Sequence, residues 1–255
     1  MSLPRVASRE EWLAARRALL EEEKELTRAR DALNTRRRLL PMVELDKEYV
    51  FDSIDSAGGE LRLADLFEGR RQLIIRHAMW LDDRGLACPS CSADLDQIGH
   101  LAHLRARDTA FAAVSRGPVD QMRAFKARMG WTFPWYSSRR SDFNYDFHAS
   151  LDESRAPIEY NYRGKAELEA AGLPIGKWDQ PFDLHAISVF LRDHDRVFHT
   201  YSTYGRGTDN LGFISNFLDL TPLGRQEPWE EPKGRATVFR TGARDTLRYH
   251  DEYDV

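Results

Sequence analysis

Apolar residues recur at a regular spacing along residues 8–40, with charged residues between them. One position returns every seven residues and is occupied by Trp12, Leu19, Leu26, Leu33 and Leu40. The second apolar position of such a repeat is small or charged here, as at Ala15 and Glu22. Ser8, with Glu11 three residues later, is typical of a helix start, and Pro41 ends the pattern. We therefore predict one helix over residues 8–40, which lies along the parent domain or along a second subunit.

Beyond residue 41, short apolar runs alternate with helical patterns. The pattern predicts strands at residues 48–52, 60–62, 72–80, 109–115 and 131–135, and helical segments at 63–69, 92–107, 118–129 and 209–218. Residues 185–192 and 197–201 predict an antiparallel pair of strands joined across 193–196. This order predicts an α/β fold with a mixed central sheet.

The chain divides into three parts on these patterns. Residues 1–41 form an N-terminal helical arm, residues 42–224 the main domain, and residues 225–255 a C-terminal tail. The tail is rich in proline, glycine and charge and has no clear period. We expect it to wrap a surface, to exchange between subunits or to be disordered.

The composition is that of a protein that can bury a full core, since 42% of its residues are hydrophobic and 31% are charged. The net charge of −4 gives no global reason to bind nucleic acid or an anionic membrane. No apolar run approaches the ~18 residues that span a bilayer, and charged residues interrupt the N-terminus where a signal sequence would be apolar. We find no glycine signature for a nucleotide. We therefore expect a cytoplasmic protein without a cofactor.

The two cysteines of the chain stand together as Cys88-Pro89-Ser90-Cys91, between a predicted buried strand and a predicted helix. Proline suits the first position of a helix, which makes Cys88 the cap residue. The positive end of the helix dipole favours a thiolate there, so Cys88 is predicted to be the attacking sulfur. Cys91 lies one turn further along, is expected to be more buried, and would resolve a mixed disulfide.

Two other interpretations of the cysteine pair are available. The pair can be structural or a product of chance. A zinc site needs four ligands, and the nearest additional candidates are His100 and His103. In a continuous helix, Cys91 and His100 would lie about 13.5 Å apart, too far to bind one ion, so no metal site is predicted.

Several motifs give the chain a resemblance to a known family. They are Cys88-Pro89-Ser90-Cys91, Ser115-Arg116, and the segments 130–135, 141–148, 198–204 and 217–225. With these motifs the chain resembles the thioredoxin-like family catalogued as domain of unknown function 899, on the peroxiredoxin-like side of the thioredoxin-like superfamily. The resemblance covers nearly the whole chain. It implies a thioredoxin-like three-layer fold and a dithiol site, but no particular reaction.

The sequence departs from the patterns of the wider superfamily at the cysteines. Thioredoxins carry tryptophan directly before the first cysteine, whereas this chain has Ala87 there and Trp80 further upstream. Peroxiredoxins place threonine three residues and proline seven residues before the attacking cysteine. Here these positions hold Gly85 and Leu81, which weakens a peroxidase interpretation.

Further side chains are candidates to support the site or to contact a substrate. Pro89 and Ser90 lie within the motif, Arg76 and His77 lie on the strand before it, and alternation allows only one of these two to face the cysteines. Arg116 follows the strand at 109–115, at the edge of the sheet where sites of α/β proteins collect. Aromatic and histidine side chains form either buried strand faces or a substrate-facing wall: Phe143, Tyr145, His148, His199 and Tyr201.

These observations support three functional hypotheses. The first is a thiol–disulfide oxidoreductase whose partners are a thiol or disulfide substrate and a reducing protein. The second is a peroxiredoxin-like thiol peroxidase. The third is a non-catalytic thioredoxin-like module for binding or redox sensing, which uses the long helix and the tail. The long helix also favours a homodimer.

Overall fold

The computed structural model of the protein describes residues 5–55, 59–82, 84–211, 213–221, 231, 233 and 249–252. Its helices are α1 Arg9–Arg38, α2 Pro89–Leu95, α3 Ala102–Arg105, α4 Val119–Met129, α5 Phe143–Asp146, α6 Lys165–Ala170 and α7 Phe213–Leu218. Its strands are β1 Val43–Glu44, β2 Val50–Ser53, β3 Glu60–Arg62, β4 Gln72–His77, β5 Trp80–Leu81, β6 Leu86–Ala87, β7 Thr109–Ser115, β8 Trp135–Ser137, β9 Ser150–Leu151, β10 Glu159–Tyr160, β11 Arg163–Gly164, β12 Phe182–Asp183, β13 Ala186–Asp193 and β14 Arg196–Tyr204.

The central sheet has eight strands in the order β1-β14-β13-β4-β7-β8-β2-β3. Strands β4, β7 and β8 run parallel, whereas β13 pairs antiparallel with β4 and with β14. The predicted mixed sheet, the late hairpin and the α/β class are therefore confirmed. Every residue of β7 is buried, as expected for a strand covered on both faces.

Apolar clusters cover the two faces of this sheet. On one face, α2 and α4 pack Cys91, Leu95, Met122 and Phe125 against the sheet. On the other face, α5 and a short 3-10 turn at Asp65–Phe67 pack beneath β4 and β7. Because side chains alternate along β4, its residues divide between the two faces. This division decides which residues reach the cysteines.

Helix α1 has the start that the sequence predicted. The Glu11 amide donates to Ser8 Oγ at 3.1 Å, and the Ser8 amide donates to Glu11 Oε2 at 2.9 Å, which completes the capping box. The helix ends at Arg38, and none of its residues is buried. Near its end, the Arg37 guanidinium lies over the Tyr201 ring, 4.8 Å from the centroid.

Two predicted elements around the cysteines have different bounds. The continuous helix predicted at 92–107 is wrong, because α2 ends at Leu95 and α3 begins only at Ala102. Gly99 lies between them, and His100 Nδ1 accepts a hydrogen bond from the Ala102 amide at 3.2 Å. The strand predicted at 72–80 ends at His77, and a separate hairpin of β5 and β6 follows it.

Three further predictions are corrected. The strand predicted at 131–135 begins only at Trp135, because Pro134 has no N–H to donate. The buried strand face considered for the aromatic residues of segment 141–148 is instead the short helix α5, and Phe143 on this helix and Phe147 at its C-cap share one buried side. The helix predicted at 209–218 is a 3-10 turn at Gly205–Leu211 and then α7.

Some predictions fall on residues whose structure is not described. Pro222 to Arg225, at the end of the last family motif, lie outside the described residues, as do residues 1–4 of the arm. The predicted tail 225–255 is described only at residues 231, 233 and 249–252.

Candidate dithiol site

Cys88 caps the start of α2, as the sequence predicted. Its backbone is extended, with φ −61° and ψ 133°, and Pro89 occupies the first helical turn. Its main chain is held on both sides, because the Cys88 amide donates to the Met79 carbonyl at 3.0 Å and its own carbonyl accepts from the Ser92 amide at 2.9 Å. These contacts fix the half-buried Cys88 side chain at the helix start.

The surroundings of Cys88 favour its ionised form. The Cys91 thiol donates a hydrogen bond to the Cys88 sulfur. The amides of Ser90 and Cys91 and the Ser90 hydroxyl donate to the same sulfur. Partial burial opposes these contacts, yet together they lower the pKa of Cys88 to about 6. A thiol with that pKa is mainly thiolate at neutral pH, which is the nucleophilic form.

Cys91 has the opposite character. It is buried, with 1% of its surface exposed, and the Met79 amide donates to its sulfur at 3.4 Å. Its hydrogen bond to Cys88 and its burial raise the pKa of Cys91 well above the ordinary value. Both cysteines are free thiols. The pair thus holds one proton on the inner sulfur and presents the outer sulfur as an anion.

Arg76 is the residue of the Arg76/His77 pair that faces the cysteines. It is 4% exposed, and its Nη2 donates to Asp94 Oδ2 of α2 at 2.6 Å. The positive charge of Arg76 partly offsets the rise in the pKa of Cys91. Its buried Nη1 has no hydrogen-bond partner within the part of the chain that the structure describes. Asp94 was not among the predicted residues, although its place one turn after Cys91 would have been a signal.

His77 lies on the opposite face of β4. Its Nδ1 lies 3.2 Å from Asn144 Oδ1, its Nε2 lies 3.0 Å from Ser188 Oγ, and its ring stacks on Phe143 with centroids 5.3 Å apart. Complete burial lowers the pKa of His77 to about 4, so it is neutral at physiological pH. The sheet separates it from the cysteines.

Trp80 and Arg116 meet at a buried carboxylate beyond the end of β4. The Trp80 amide donates to Asp183 Oδ2 at 3.3 Å, and Arg116 Nη1 lies 3.5 Å from Asp183 Oδ1. The Ser150 hydroxyl donates to the same carboxylate at 2.6 Å. Burial raises the pKa of Asp183 above its ordinary value. The Trp80 ring itself packs in the cluster that contains Cys91, whereas Arg116 is held in the ion pair with Asp183.

Of the five residues predicted as a substrate wall, Phe143 is buried and His199 is half-buried on the far face of the sheet. Phe143 contacts His77 and Phe190, and His199 lies edge-on to Phe147 with ring centroids 5.1 Å apart. These two residues therefore belong to an aromatic cluster on that face. The structure does not bring them to the cysteines.

The other three residues of the predicted wall contact charged groups. The Tyr145 ring lies between Arg116 and Arg155, at 4.7 and 4.1 Å from its centroid. His148 Nε2 lies 3.9 Å from a carboxylate oxygen of Glu159. Tyr201 lies beneath Arg37 of α1. The five residues therefore do not form one continuous wall.

Tyr249 is a residue of the site that the sequence analysis missed. Its hydroxyl donates at 2.7 Å to the carbonyl of Ala87, the residue before Cys88. Its ring packs edge-on to Phe125 and lies under the Arg128 guanidinium, 4.8 Å from the ring centroid. Burial raises the pKa of Tyr249 to about 12, and the nearby Cys88 contributes in the same direction. No local pattern could reveal this contact, because it joins residues 162 positions apart.

Among the described residues, no cluster of three or more histidine, cysteine, aspartate or glutamate side chains could hold a metal ion. In the same part of the chain, no helix has both the length and the apolar character needed to cross a membrane.

With its mixed sheet, the helices on both sides and the late hairpin, the chain is an α/β protein. Its sequence matches the family described as "Bacterial protein of unknown function (DUF899)" over residues 1–253, and the chain belongs to that family. No curated protein matches it.

Solved structures with a similar fold include three peroxiredoxins. Peroxidoxin BcpB from Mycobacterium tuberculosis is 13% identical, with a TM-score of 0.42 over 65% of this chain and 84% of that one. A mutant of Xanthomonas campestris peroxiredoxin Q is 14% identical, with a TM-score of 0.43 over 64% of this chain and 87% of that one. A mutant of Xylella fastidiosa PrxQ is 12% identical, with a TM-score of 0.41 over 68% and 91%. At such low identity, these likenesses carry no argument about chemistry.

Proposed function

We propose that this protein is a thiol–disulfide oxidoreductase in which Cys88 attacks and Cys91 resolves. The supporting observation is the asymmetry of the two thiols. Cys88 is half-buried at a helix start and has a pKa of about 6, whereas Cys91 is buried and has a raised pKa. A dithiol that performs two successive exchange steps needs one sulfur ready to attack and a second held in reserve.

The proposed reaction proceeds in two exchanges. The Cys88 thiolate attacks one sulfur of a substrate disulfide, that S–S bond breaks, and the departing thiolate takes up a proton from water. The Cys91 thiol then loses its proton and attacks the Cys88 sulfur, which releases the second substrate thiol. The substrate gains two electrons, and the protein holds a Cys88–Cys91 disulfide. A thiol reductant must return the protein to the dithiol form.

The location of the charges suits the second step. Once the mixed disulfide forms, Cys88 no longer carries a negative charge, so the main cause of the raised Cys91 pKa disappears. The Arg76 cation remains and favours the Cys91 thiolate. Cys91 is therefore activated only after Cys88 has reacted. This function requires a reducing partner protein and a compartment, such as the cytoplasm, in which the dithiol form is maintained.

Trapping of the mixed disulfide tests the proposal. The Cys91→Ser variant is expected to accumulate a stable mixed disulfide with glutathione disulfide or a small aromatic disulfide, observed as a mass increase on Cys88. The matched Cys88→Ser variant is expected to accumulate none. Equal labelling of the two variants would contradict the assigned roles.

Turnover assays separate this function from the two alternatives. Disulfide reduction that depends on Cys88 supports the oxidoreductase. Faster consumption of hydrogen peroxide, with the same dependence, would assign the site to a thiol peroxidase. If neither activity depended on Cys88, the remaining assignment would be a binding or redox-sensing module.

A further inference from the structure

Helix α1 exposes a continuous stripe of large apolar side chains. The stripe consists of Trp12, Leu19, Leu26 and Leu33 on the helix and Leu40 two residues beyond its end, with exposed fractions between 46% and 61%. The helix has 30 residues, a length of about 45 Å, and none of them is buried against the domain. In proteins, most of the stability of a helix comes from tertiary packing of its apolar face. The stripe therefore needs a partner that the described part of this chain does not supply.

The charges along α1 indicate which partner fits. Residues 21–23 are all glutamate, and residues 36–38 are all arginine. The middle of the helix therefore carries an acidic cluster, and its last turn is strongly basic. A second α1 in the opposite direction would set each acidic segment against a basic one, whereas a parallel copy would set like charges together.

We propose that α1 pairs with α1 of a second copy of this chain in an antiparallel arrangement. The register that sets Leu26 against Leu33 of the second copy also sets Leu19 against its Leu40. The same register brings glutamates 21–23 opposite arginines 36–38. The twofold axis then passes beside Ala29, where a small side chain lets the two helices approach closely. The four leucines of the stripe are buried in this pairing.

This pairing does not depend on the chemistry of the cysteines. In this register residues 21–38 of the two helices overlap, and the contact of Arg37 with Tyr201 and the link at residues 39–42 place each domain at one end of the overlapping segment. Each domain keeps its own Cys88 site. Failure of the oxidoreductase assays would therefore leave the dimer unaffected, and the reverse holds as well.

Sedimentation of the full-length protein at several concentrations tests the pairing. The wild type is expected to sediment as a dimer, and the Leu26→Lys variant is expected to shift to monomer. Ala14→Lys, which adds the same charge to the same helix outside the stripe, is the control and should remain a dimer. A wild type that stays monomeric at all concentrations, or a Leu26→Lys variant that dimerises like the control, would overturn the proposal.

Disulfide cross-linking tests the direction of the pairing in a chain whose native cysteines are replaced by serine. A cysteine at Ala29 is expected to cross-link two copies readily, because it lies at the axis. A cysteine at Leu19 should not, because the two copies of that residue would lie about 31 Å apart. Faster cross-linking at Leu19 would indicate a parallel pair and refute the antiparallel arrangement.

Charge reversal offers a rescue. Lysines at 21–23 alone, or glutamates at 36–38 alone, should weaken the dimer. The two changes combined in one chain restore opposite charges across an antiparallel pair and should restore it. A combined variant that remains monomeric, although circular dichroism shows that it is folded, would contradict the pairing.

Discussion

The reactivity of Cys88 depends most on a hydrogen bond from the Cys91 thiol. This contact is the largest cause of the lowered Cys88 pKa, followed in the same direction by the amides at the start of α2. A pKa of about 6, against an ordinary value of 9.0, means that ~90% of Cys88 is thiolate at pH 7 rather than ~1%. Removal of the Cys91 thiol should therefore raise the Cys88 pKa and slow its alkylation at pH 7, by at most ~90-fold.

Two substitutions at position 91 separate the hydrogen bond from the rest of the site. Cys91→Ala removes the donor, whereas Cys91→Ser keeps a hydroxyl in its place. The assay is the rate of iodoacetamide alkylation of Cys88 between pH 4 and 10, measured by mass spectrometry on the folded protein. Because only the thiolate reacts, the rate rises as pH passes the Cys88 pKa. In the serine variant the midpoint should stay near 6, and in the alanine variant it should move to higher pH.

The pH profile can also refute this reasoning. A midpoint near 9 in the serine variant would show that the helix start does not stabilise the thiolate. Equal midpoints in the two variants would show that the position 91 donor has no part in it. In either case the difference between the two sulfurs would need another cause, and the assignment of Cys88 as nucleophile would lose its main support.

Three further predictions concern residues around the site. Tyr249→Phe removes the hydrogen bond that holds the main chain before Cys88. We expect its loss to make Cys88 more accessible, so that alkylation is faster, and to lower the unfolding free energy, measured in urea, by about 1 kcal/mol. An unchanged alkylation rate would show that Tyr249 does not limit access to Cys88. Arg76→Gln removes the buried guanidinium that pairs with the Asp94 carboxylate and should lower the unfolding free energy by ~3–5 kcal/mol. Adding Asp94→Asn should recover part of this loss. Losses that simply add would argue against direct coupling of the two residues. Phe143→Ala should lower the unfolding free energy by ~3–5 kcal/mol and leave the alkylation rate at Cys88 unchanged, since the sheet separates the two residues; a large change in that rate would place Phe143 at the site after all.

The elements that were predicted well are those whose signals are local. The capping box of Ser8 and Glu11, the buried strand Thr109–Ser115 and the helix end at Met129 each depend on residues only a few positions apart. Local spacing also explains why a strand face was considered for residues 142–148, where the structure has a helix. Aromatic residues there alternate as in a strand, but Phe143 and Phe147 are also four residues apart, which a helix places on one side. Local spacing permits both structures, and packing against His77 and Phe190 selected the helix.

Some features of the dithiol site also follow from local sequence, and others do not. The order Cys88-Pro89-Ser90-Cys91 after a buried strand is enough to predict a cap, an outer and an inner sulfur, because the geometry of one helical turn is set by neighbouring residues. The choice of Arg76 over His77, the burial of Asp183 and the contact of Tyr249 with the residue before Cys88 required the folded chain. These contacts join segments that are far apart in sequence, and their proximity results from the packing of both sheet faces, which no local spacing encodes.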